Sequence, residues 1–232
     1  MRVSVYENVW SMDLLNASHL SVNEVEKHLG FQKIKKLGRY SDVLPLDKLS
    51  AAERKDIAKI ADDFWHYLDA DKVSEGLIKA LTVFPLLRLT GLYSRPVELK
   101  VEENIAQIEV EDGDRIIRGR YDIVAINHDI EANGVPLWIL IAEAKNSQIA
   151  HTAGLSQLLV YAHQSLSHQR SAWGLMTNGA FYQFVFISKD TVPKFQLFPP
   201  LYLYDNTQAE QLGQVLKALC TLKVATPKPA IA

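Results

Sequence analysis

Apolar residues recur every three or four positions in several stretches of the chain, which is the period of an amphipathic helix. One stretch begins with Ser50 and Glu53, which have the spacing of a capping box, because the hydroxyl and the carboxylate can each accept from a free amide at a helix start. Another contains Pro85, which forces a kink or a restart because proline has no amide hydrogen. The pattern predicts helices at about 50–68, 71–84, 152–166 and 208–222.

Between these helices the period changes to two, or the sequence becomes continuously apolar, as in buried strands. The segments with this pattern are residues 97–101, 108–110, 121–126, 138–144, 172–177 and 181–187. Turn-forming pairs separate neighbouring segments at Asp112–Gly113, Asn133–Gly134 and Asn178–Gly179, and each pair predicts a hairpin. The order of a helix, three or four strands, a helix and two strands predicts an α/β fold with a central mixed sheet flanked by helices.

Charged residues interrupt two of the apolar strands. The run 138–142 leads directly into Glu143, Ala144 and Lys145, and Asp122 interrupts the run that precedes it. Because residues two apart in a strand point to the same side, Glu143 and Lys145 share a face while Ala144 points away. The predicted hairpin brings Asp122 beside them. Buried charges without partners are strongly destabilising, so we expect another side chain or a metal ion beside these groups.

A strand aspartate, a hairpin and then Glu-x-Lys resemble the active site of the PD-(D/E)xK, or restriction endonuclease-like, nuclease superfamily. Three Glu-x-Lys sequences occur in the chain, and only the one from Glu143 to Lys145 closes an apolar strand that follows an acid-bearing strand. The resemblance implies an αβββαβ core. It also implies that Asp122, Glu143 and the Ala144 carbonyl bind Mg²⁺ or Mn²⁺, while Lys145 stabilises charge on the phosphate or aids the attacking water. A buried salt bridge between Lys145 and the two acids is the alternative.

The helix after Lys145 carries Gln157 and Tyr161, which lie four apart on the side away from the apolar stripe. They resemble the Gln-x-x-x-Tyr motif of the RecB-like branch of the superfamily. That resemblance implies that Gln157 orients the lysine or the metal site and that Tyr161 faces the nucleic acid. Chance placement of such a pair is the alternative. The turn at 177–179 also resembles the nuclease domain of type I restriction subunits.

Glu75 lies in the first turn of the second predicted helix. The simpler interpretation is that an acid there complements the helix dipole, which stabilises a helix by about 0.3–1 kcal/mol. The superfamily resemblance adds a catalytic interpretation, because many members place a glutamate on the helix before the sheet, where it helps to hold metal-bound water.

Basic side chains are concentrated between residues 32 and 39, at Lys33, Lys35, Lys36 and Arg39. They predict either a solvated loop or helix face, or a segment that contacts phosphate groups. Since the 232-residue chain has a formal net charge of −2, a nucleic acid would have to be held by a local basic surface of this kind.

Composition excludes several other classes of protein. Cys220 is the one cysteine, which rules out an internal disulfide and a cysteine-built zinc site. The sequence contains no Gly-x-x-x-x-Gly-Lys phosphate loop, no His-Glu-x-x-His helix and no Gly-x-Ser-x-Gly elbow. No apolar run reaches the roughly 20 residues of a membrane span, and a signal-peptide layout is missing. We therefore expect a cytoplasmic protein without membrane contact.

These patterns predict an N-terminal helical extension at 1–69, a nuclease-like domain at 70–222 and a disordered tail at 223–232. The predicted function is magnesium-dependent hydrolysis of phosphodiester bonds, with DNA as the expected substrate, in restriction or repair. The alternative is a non-catalytic module of the same fold that binds nucleic acid or serves in assembly. A homodimer, or a specificity or motor partner, is left open, as is endo or exo cleavage.

Overall fold

The structure is a computed structural model that describes residues 13–105, 107–110, 115–132 and 135–222. Its helices are α1 (Val22–Leu29), α2 (Tyr40–Val43), α3 (Ala51–Ala70), α4 (Glu75–Ile78), α5 (Phe84–Leu89), α6 (Leu155–Ser165) and α7 (Asn206–Cys220). Single 3₁₀ turns span Ala17–His19 and His151–Gly154, and a π-helical turn spans Lys79–Val83. None of the helices in the described ranges is long and apolar enough to cross a membrane.

The described strands form two sheets. They are β1 (Asp13–Asn16), β2 (Gln32–Ile34), β3 (Val97–Val101), β4 (Ile108–Glu109), β5 (Arg115–Arg118), β6 (Ile123–Ala132), β7 (Val135–Ala144), β8 (Ser171–Thr177), β9 (Phe181–Lys189), β10 (Pro193–Leu197) and β11 (Leu201–Tyr202). The large sheet has the order β2-β10-β9-β8-β7-β6-β3, with β11 paired to β9, and the small sheet has the order β1-β5-β4. In the large sheet β7 is antiparallel to β6 and parallel to β8, so the sheet is mixed.

Alternating residues of the large sheet enter two separate hydrophobic clusters. Ile123 and Ala125 belong to the cluster that includes residues of α3, α5 and α7, whereas Val124 and Ile126 belong to the cluster that includes residues of α1 and α6. This is the period-two alternation expected of a strand that is covered on both faces. The predicted α/β class, with a large mixed sheet flanked by helices, is confirmed.

The predicted helices are all present, and one of them is interrupted. Residues 75–89 form a continuous helical stretch in which α4 leads into the π-helical turn and then into α5. Pro85 is the second residue of α5. Because proline cannot donate the hydrogen bond of a regular helix, the widened turn directly before it is the restart that the sequence predicts.

Residues 108–110 do not continue the large sheet as predicted. β4 pairs with β5, which pairs in turn with β1, and these three strands make the small sheet. The residue alternation of this segment identifies a strand but contains no information about its partner. The predicted hairpin turns at Asp112–Gly113 and Asn133–Gly134 lie outside the described residues.

The N-terminal region is not the purely helical extension that the sequence predicts. It contains α1, α2 and α3, but it also contributes β1 to the small sheet and β2 to the edge of the large one. Its residues enter both hydrophobic clusters, for example Phe31 in one and Tyr40 in the other. The domain boundary at residue 69 stays a prediction, and the predicted tail at 223–232 lies outside the described residues.

Candidate functional site

Asp122 and Glu143 lie side by side at one end of the large sheet. Ile123 pairs with Ala142, so Asp122, which directly precedes β6, continues the same register opposite Glu143. The backbone amide of Ala144 donates to Asp122 Oδ2 at 2.8 Å. This hydrogen bond fixes the aspartate at the end of β7 and juxtaposes the two acids that the sequence predicts to meet.

Glu143 is only 2% exposed, which is unusual for a carboxylate. Lys145 Nζ donates to its Oε1 at 2.7 Å, whereas Oε2 is buried without a hydrogen-bond partner among the described residues. Burial, followed by the charge of Asp122, raises the pKa of Glu143 to about 8, although Lys145 opposes the shift. This shift favours the protonated form of the carboxyl group, and a bound cation would favour the ionised form.

Lys145 is connected to helix α6 through Gln157. Its Nζ donates to Gln157 Oε1 at 2.7 Å, and Gln157 Nε2 donates to the Tyr161 hydroxyl at 3.1 Å. The glutamine thus has the position predicted for a residue that orients the lysine. Because its Oε1 accepts from the lysine, its amide group can only donate towards the tyrosine.

Tyr161 does not have the exposed position that was predicted. The residue is 1% exposed, and its ring contacts that of Tyr121 with a centroid separation of 6.4 Å. Gly119 also lies against it, since a Cβ at position 119 would be 2.8 Å from Tyr161 Cε1. Burial raises the pKa of Tyr161, so its hydroxyl stays neutral. The Tyr161 hydroxyl accepts a hydrogen bond from Gln157, and the buried ring offers no surface to nucleic acid.

Gly154 allows the 3₁₀ turn before α6 to approach the site closely. A Cβ at this position would lie 2.6 Å from Glu143 Cγ and 3.2 Å from Glu143 Cβ. A carbon–carbon contact of 2.6 Å is essentially never found in folded proteins, so any larger residue must displace either the turn or the glutamate.

We therefore expect Gly154→Ala to destabilise the protein by about 1–3 kcal/mol, the usual cost of overpacking a buried position. Urea denaturation measures this change in the free energy of unfolding. Gly76→Ala is the matched control, because a Cβ at position 76 would meet nothing within 4 Å. Equal stability of the Gly154→Ala and Gly76→Ala proteins would contradict the close packing at Gly154.

Lys79 is a member of the site that the sequence does not reveal. It is 6% exposed, and its Nζ lies 3.1 Å from Asp122 Oδ1, 3.0 Å from Glu102 Oε1 and 3.6 Å from Glu75 Oε1. In sequence it is a lysine four residues after a glutamate on a helix, a pattern that is common on solvated surfaces. Only the packing of the π-helical turn against the sheet end identifies it.

Electrostatic effects around Lys79 favour its charged form. Burial alone would lower the pKa of Lys79, but Asp122, Glu102 and Glu75 together outweigh burial and raise it. The hydrogen bond from Lys79 in turn lowers the pKa of Glu102. Glu75 lies at the first position of α4 beside Lys79 and is half-exposed, so both interpretations of this residue stay open.

The basic residues of the N-terminal region are not part of this cluster. Lys33 lies in β2, and Lys35, Lys36 and Arg39 follow it, all of them exposed. Three strands separate β2 from β7 in the large sheet, which corresponds to about 19 Å at the usual strand spacing. Contact of these side chains with phosphate stays a prediction.

The donor atoms at the sheet end fit a hard divalent cation. Within the described ranges, no group of three or more His, Cys, Asp and Glu side chains is arranged to hold a metal ion. A metal would therefore need Asp122 and Glu143 together with the Ala144 carbonyl and water molecules, all of which are the oxygen ligands that Mg²⁺ prefers. The buried and unpartnered Glu143 Oε2 is the observation that supports such a site.

Comparison with known proteins adds no family assignment. The sequence matches no protein-family model, and a search of curated proteins finds no match.

Proposed function

We propose that the chain is a magnesium-dependent nuclease that hydrolyses phosphodiester bonds, with DNA as its substrate. The observation that carries this proposal is the Glu143 carboxyl group, which is buried beside Asp122 with one oxygen unpartnered and a pKa raised to about 8. Such a group is unfavourable for stability, and perturbed carboxyl groups of this kind cluster at functional sites. A divalent cation between the two acids would supply the missing positive charge.

The order of elements in the chain supports a restriction endonuclease-like core. The helical stretch α4 to α5 is followed by β3, β6 and β7, then by α6 and β8. The four strands are neighbours in the large sheet in the order β8-β7-β6-β3. This order supports the αβββαβ arrangement that the resemblance implies. Strands β4 and β5 of the small sheet lie between β3 and β6 in the chain, whereas β1 of that sheet comes from the N-terminal region.

Each side chain of the site has a distinct part in the proposed reaction. A divalent cation, when bound, neutralises phosphate charge and makes water more acidic. Asp122 and Glu143 would hold that cation with the Ala144 carbonyl, and the hydrogen bond from the Ala144 amide orients Asp122. Lys145, held by Glu143 and Gln157, would stabilise the negative charge that develops on the phosphate.

A non-catalytic module is the second candidate, and the lysines favour it. Lys79 and Lys145 already pair with Asp122 and Glu143, so the same side chains can be interpreted as a structural ion-pair cluster. Such clusters contribute little net stability, because burying the charges offsets their attraction. The unpartnered oxygen of Glu143 favours the nuclease.

The proposal is tested by incubating the protein with supercoiled plasmid and with end-labelled single-stranded DNA and RNA, in Mg²⁺, in Mn²⁺ and in EDTA. We expect cleavage of DNA that requires the divalent cation. The products distinguish endonuclease from exonuclease action, and the RNA strand tests the preference for DNA. Absence of metal-dependent cleavage on every substrate would favour the non-catalytic module.

Gln157 provides a test of how Lys145 is positioned. We expect Gln157→Leu to lower kcat by about 10²-fold with little change in KM, because a small displacement of a catalytic group has an effect of that size. Tyr161→Phe removes only the more distant hydrogen bond and should have a smaller effect in the same direction. Steady-state cleavage of a labelled oligonucleotide measures both variants. If Gln157→Leu had the kcat of wild type, Gln157 would have no part in positioning Lys145 for catalysis.

A further inference from the structure

Lys79 is enclosed by carboxylates on three sides. Among the lysines and arginines of the described residues, it is the one that is buried. Glu75 reaches it from the same helical stretch, Glu102 from the segment after β3, and Asp122 from the segment before β6. An ammonium group that is in contact with three acids has little freedom to leave, so Lys79 behaves as a fixed part of the site.

Unusual backbone conformations bring these groups together. Lys79 begins the π-helical turn, and single π turns are rare and are frequently found at functional sites. Glu102 has a φ of 53°, the left-handed region that few residues other than glycine adopt. Its amide donates to the Asp122 carbonyl at 3.0 Å. Conformations of this kind are retained only where the surrounding structure requires them.

The formal charges of the site nearly balance once a metal ion has displaced the proton of Glu143. Asp122, Glu143, Glu75 and Glu102 are then four carboxylates, and Lys79, Lys145 and Arg120, which lies 3.8 Å from Glu102, are three cationic groups. The remaining formal charge is one minus, which a single divalent cation is sufficient to neutralise. Without Lys79 the remaining charge would be two minus.

Lys79 also competes with a second cation for the carboxylate oxygens near Asp122. In sites with two metal ions, a carboxylate bridges ions that lie about 3.5–4 Å apart. A second ion beside Asp122 would have to use oxygens of Glu75 or Glu102, and Lys79 Nζ lies 3.0–3.6 Å from those same oxygens. A magnesium ion needs ligands at about 2.1 Å, so the ammonium group and the ion compete for one volume and repel each other.

We propose that Lys79 is a built-in cation that takes the place of a second metal ion, so that the site binds one divalent ion per chain. This inference rests on the proposed function, because it concerns the same metal site. It assigns Lys79 a positioning role, in which the lysine holds Asp122 Oδ1 and leaves Glu143 Oε2 to the ion.

The experiment counts bound Mn²⁺ by electron paramagnetic resonance of the free ion, in the absence of nucleic acid. Wild type is compared with Lys79→Met, whose unbranched side chain is one atom shorter than that of lysine and carries no charge. Lys100→Met is the matched control, since Lys100 is a partly exposed lysine on β3 that pairs with Glu103. We expect one ion per chain in wild type and in Lys100→Met, and two in Lys79→Met.

Circular dichroism establishes first that each variant is folded, and Lys79→Gln replaces Lys79→Met if the apolar side chain prevents folding. The wild-type count tests the inference by itself. Two ions in wild type, or only one in the folded Lys79 variant, would overturn the inference and leave the proposed function standing. No ion in any of the proteins would overturn the proposed function and the inference with it.

Discussion

Glu143→Gln is expected to reduce metal-dependent DNA cleavage by on the order of 10³-fold while the protein stays folded. Glutamine has the shape of glutamate, so Lys145 can still donate to its Oε1, but an amide group replaces the buried carboxylate oxygen that lacks a partner. Loss of one charged group that acts on the reacting phosphate has effects of this size in other enzymes. Rates of plasmid cleavage under single-turnover conditions measure the change.

Glu109→Gln is the matched control for this variant. Glu109 is an exposed glutamate on β4 in the small sheet, so its replacement removes the same charge at a distance from the site. We expect cleavage by this control to equal that of wild type. Cleavage by Glu143→Gln at the wild-type rate would remove Glu143 from the reaction and favour the ion-pair interpretation.

The second large effect is a loss of stability of the metal-free protein as the pH rises. Glu143 has a pKa of about 8 in the folded state and an ordinary value of 4.5, which we take for the unfolded state. Between these values the folded protein holds a proton that the unfolded chain releases, so the free energy of unfolding falls as pH rises through the window. The expected loss is on the order of 3–5 kcal/mol between pH 4.5 and pH 8.

Thermal melts from pH 5 to pH 8.5 in EDTA test this expectation through the difference between wild type and Glu143→Gln. The variant has no carboxyl group at this position. Its Tm should therefore fall by roughly 10 °C less than the Tm of wild type over the same pH range. If the Tm of the two proteins changed with pH to the same extent, Glu143 would not be responsible for the loss of stability.

Magnesium should reverse this loss of stability in wild type. An ion that binds only the folded state stabilises it by mass action, by about 2.7 kcal/mol at one hundred times its dissociation constant. The rise in Tm should be larger at pH 8 than at pH 5, because the ion must replace the proton on Glu143 at the lower pH. Sodium chloride of matched ionic strength is the control. Equal responses to magnesium in wild type and Glu143→Gln would place any bound ion elsewhere.

Local sequence patterns were sufficient to predict the end of the large sheet where the acids meet. Periodicity identified β6 and β7, and the interruption of their apolar runs by Asp122 and Glu143 identified the two acids. These features depend only on neighbours along the chain or on a short hairpin. The part of Gln157 was instead implied by the resemblance of Gln157 and Tyr161 to the Gln-x-x-x-Tyr motif.

Features that depend on distant packing could not be predicted in this way. Lys79 is distinguished from a surface lysine only by the sheet end that covers it, and Tyr161 lies on the side of α6 that the sequence pattern left for solvent. Lys79 lies at the start of the π-helical turn, where it contacts Asp122. Helix α6 is covered on its second face by α1, by the 3₁₀ turn at Ala17–His19 and by Tyr121. Neither effect has a signature within the helix concerned.

The pairing of β2 with β10 has a consequence for how the chain reaches its native state. β2 is parallel to β10, and 160 residues separate Lys36 from Gln196, which are also joined by a hydrogen bond. Bringing such distant residues together costs chain entropy before the contact contributes favourable free energy. The contact therefore forms late and slowly. During synthesis on the ribosome, β2 at residues 32–34 can therefore pair with β10 only after nearly the whole described chain has emerged.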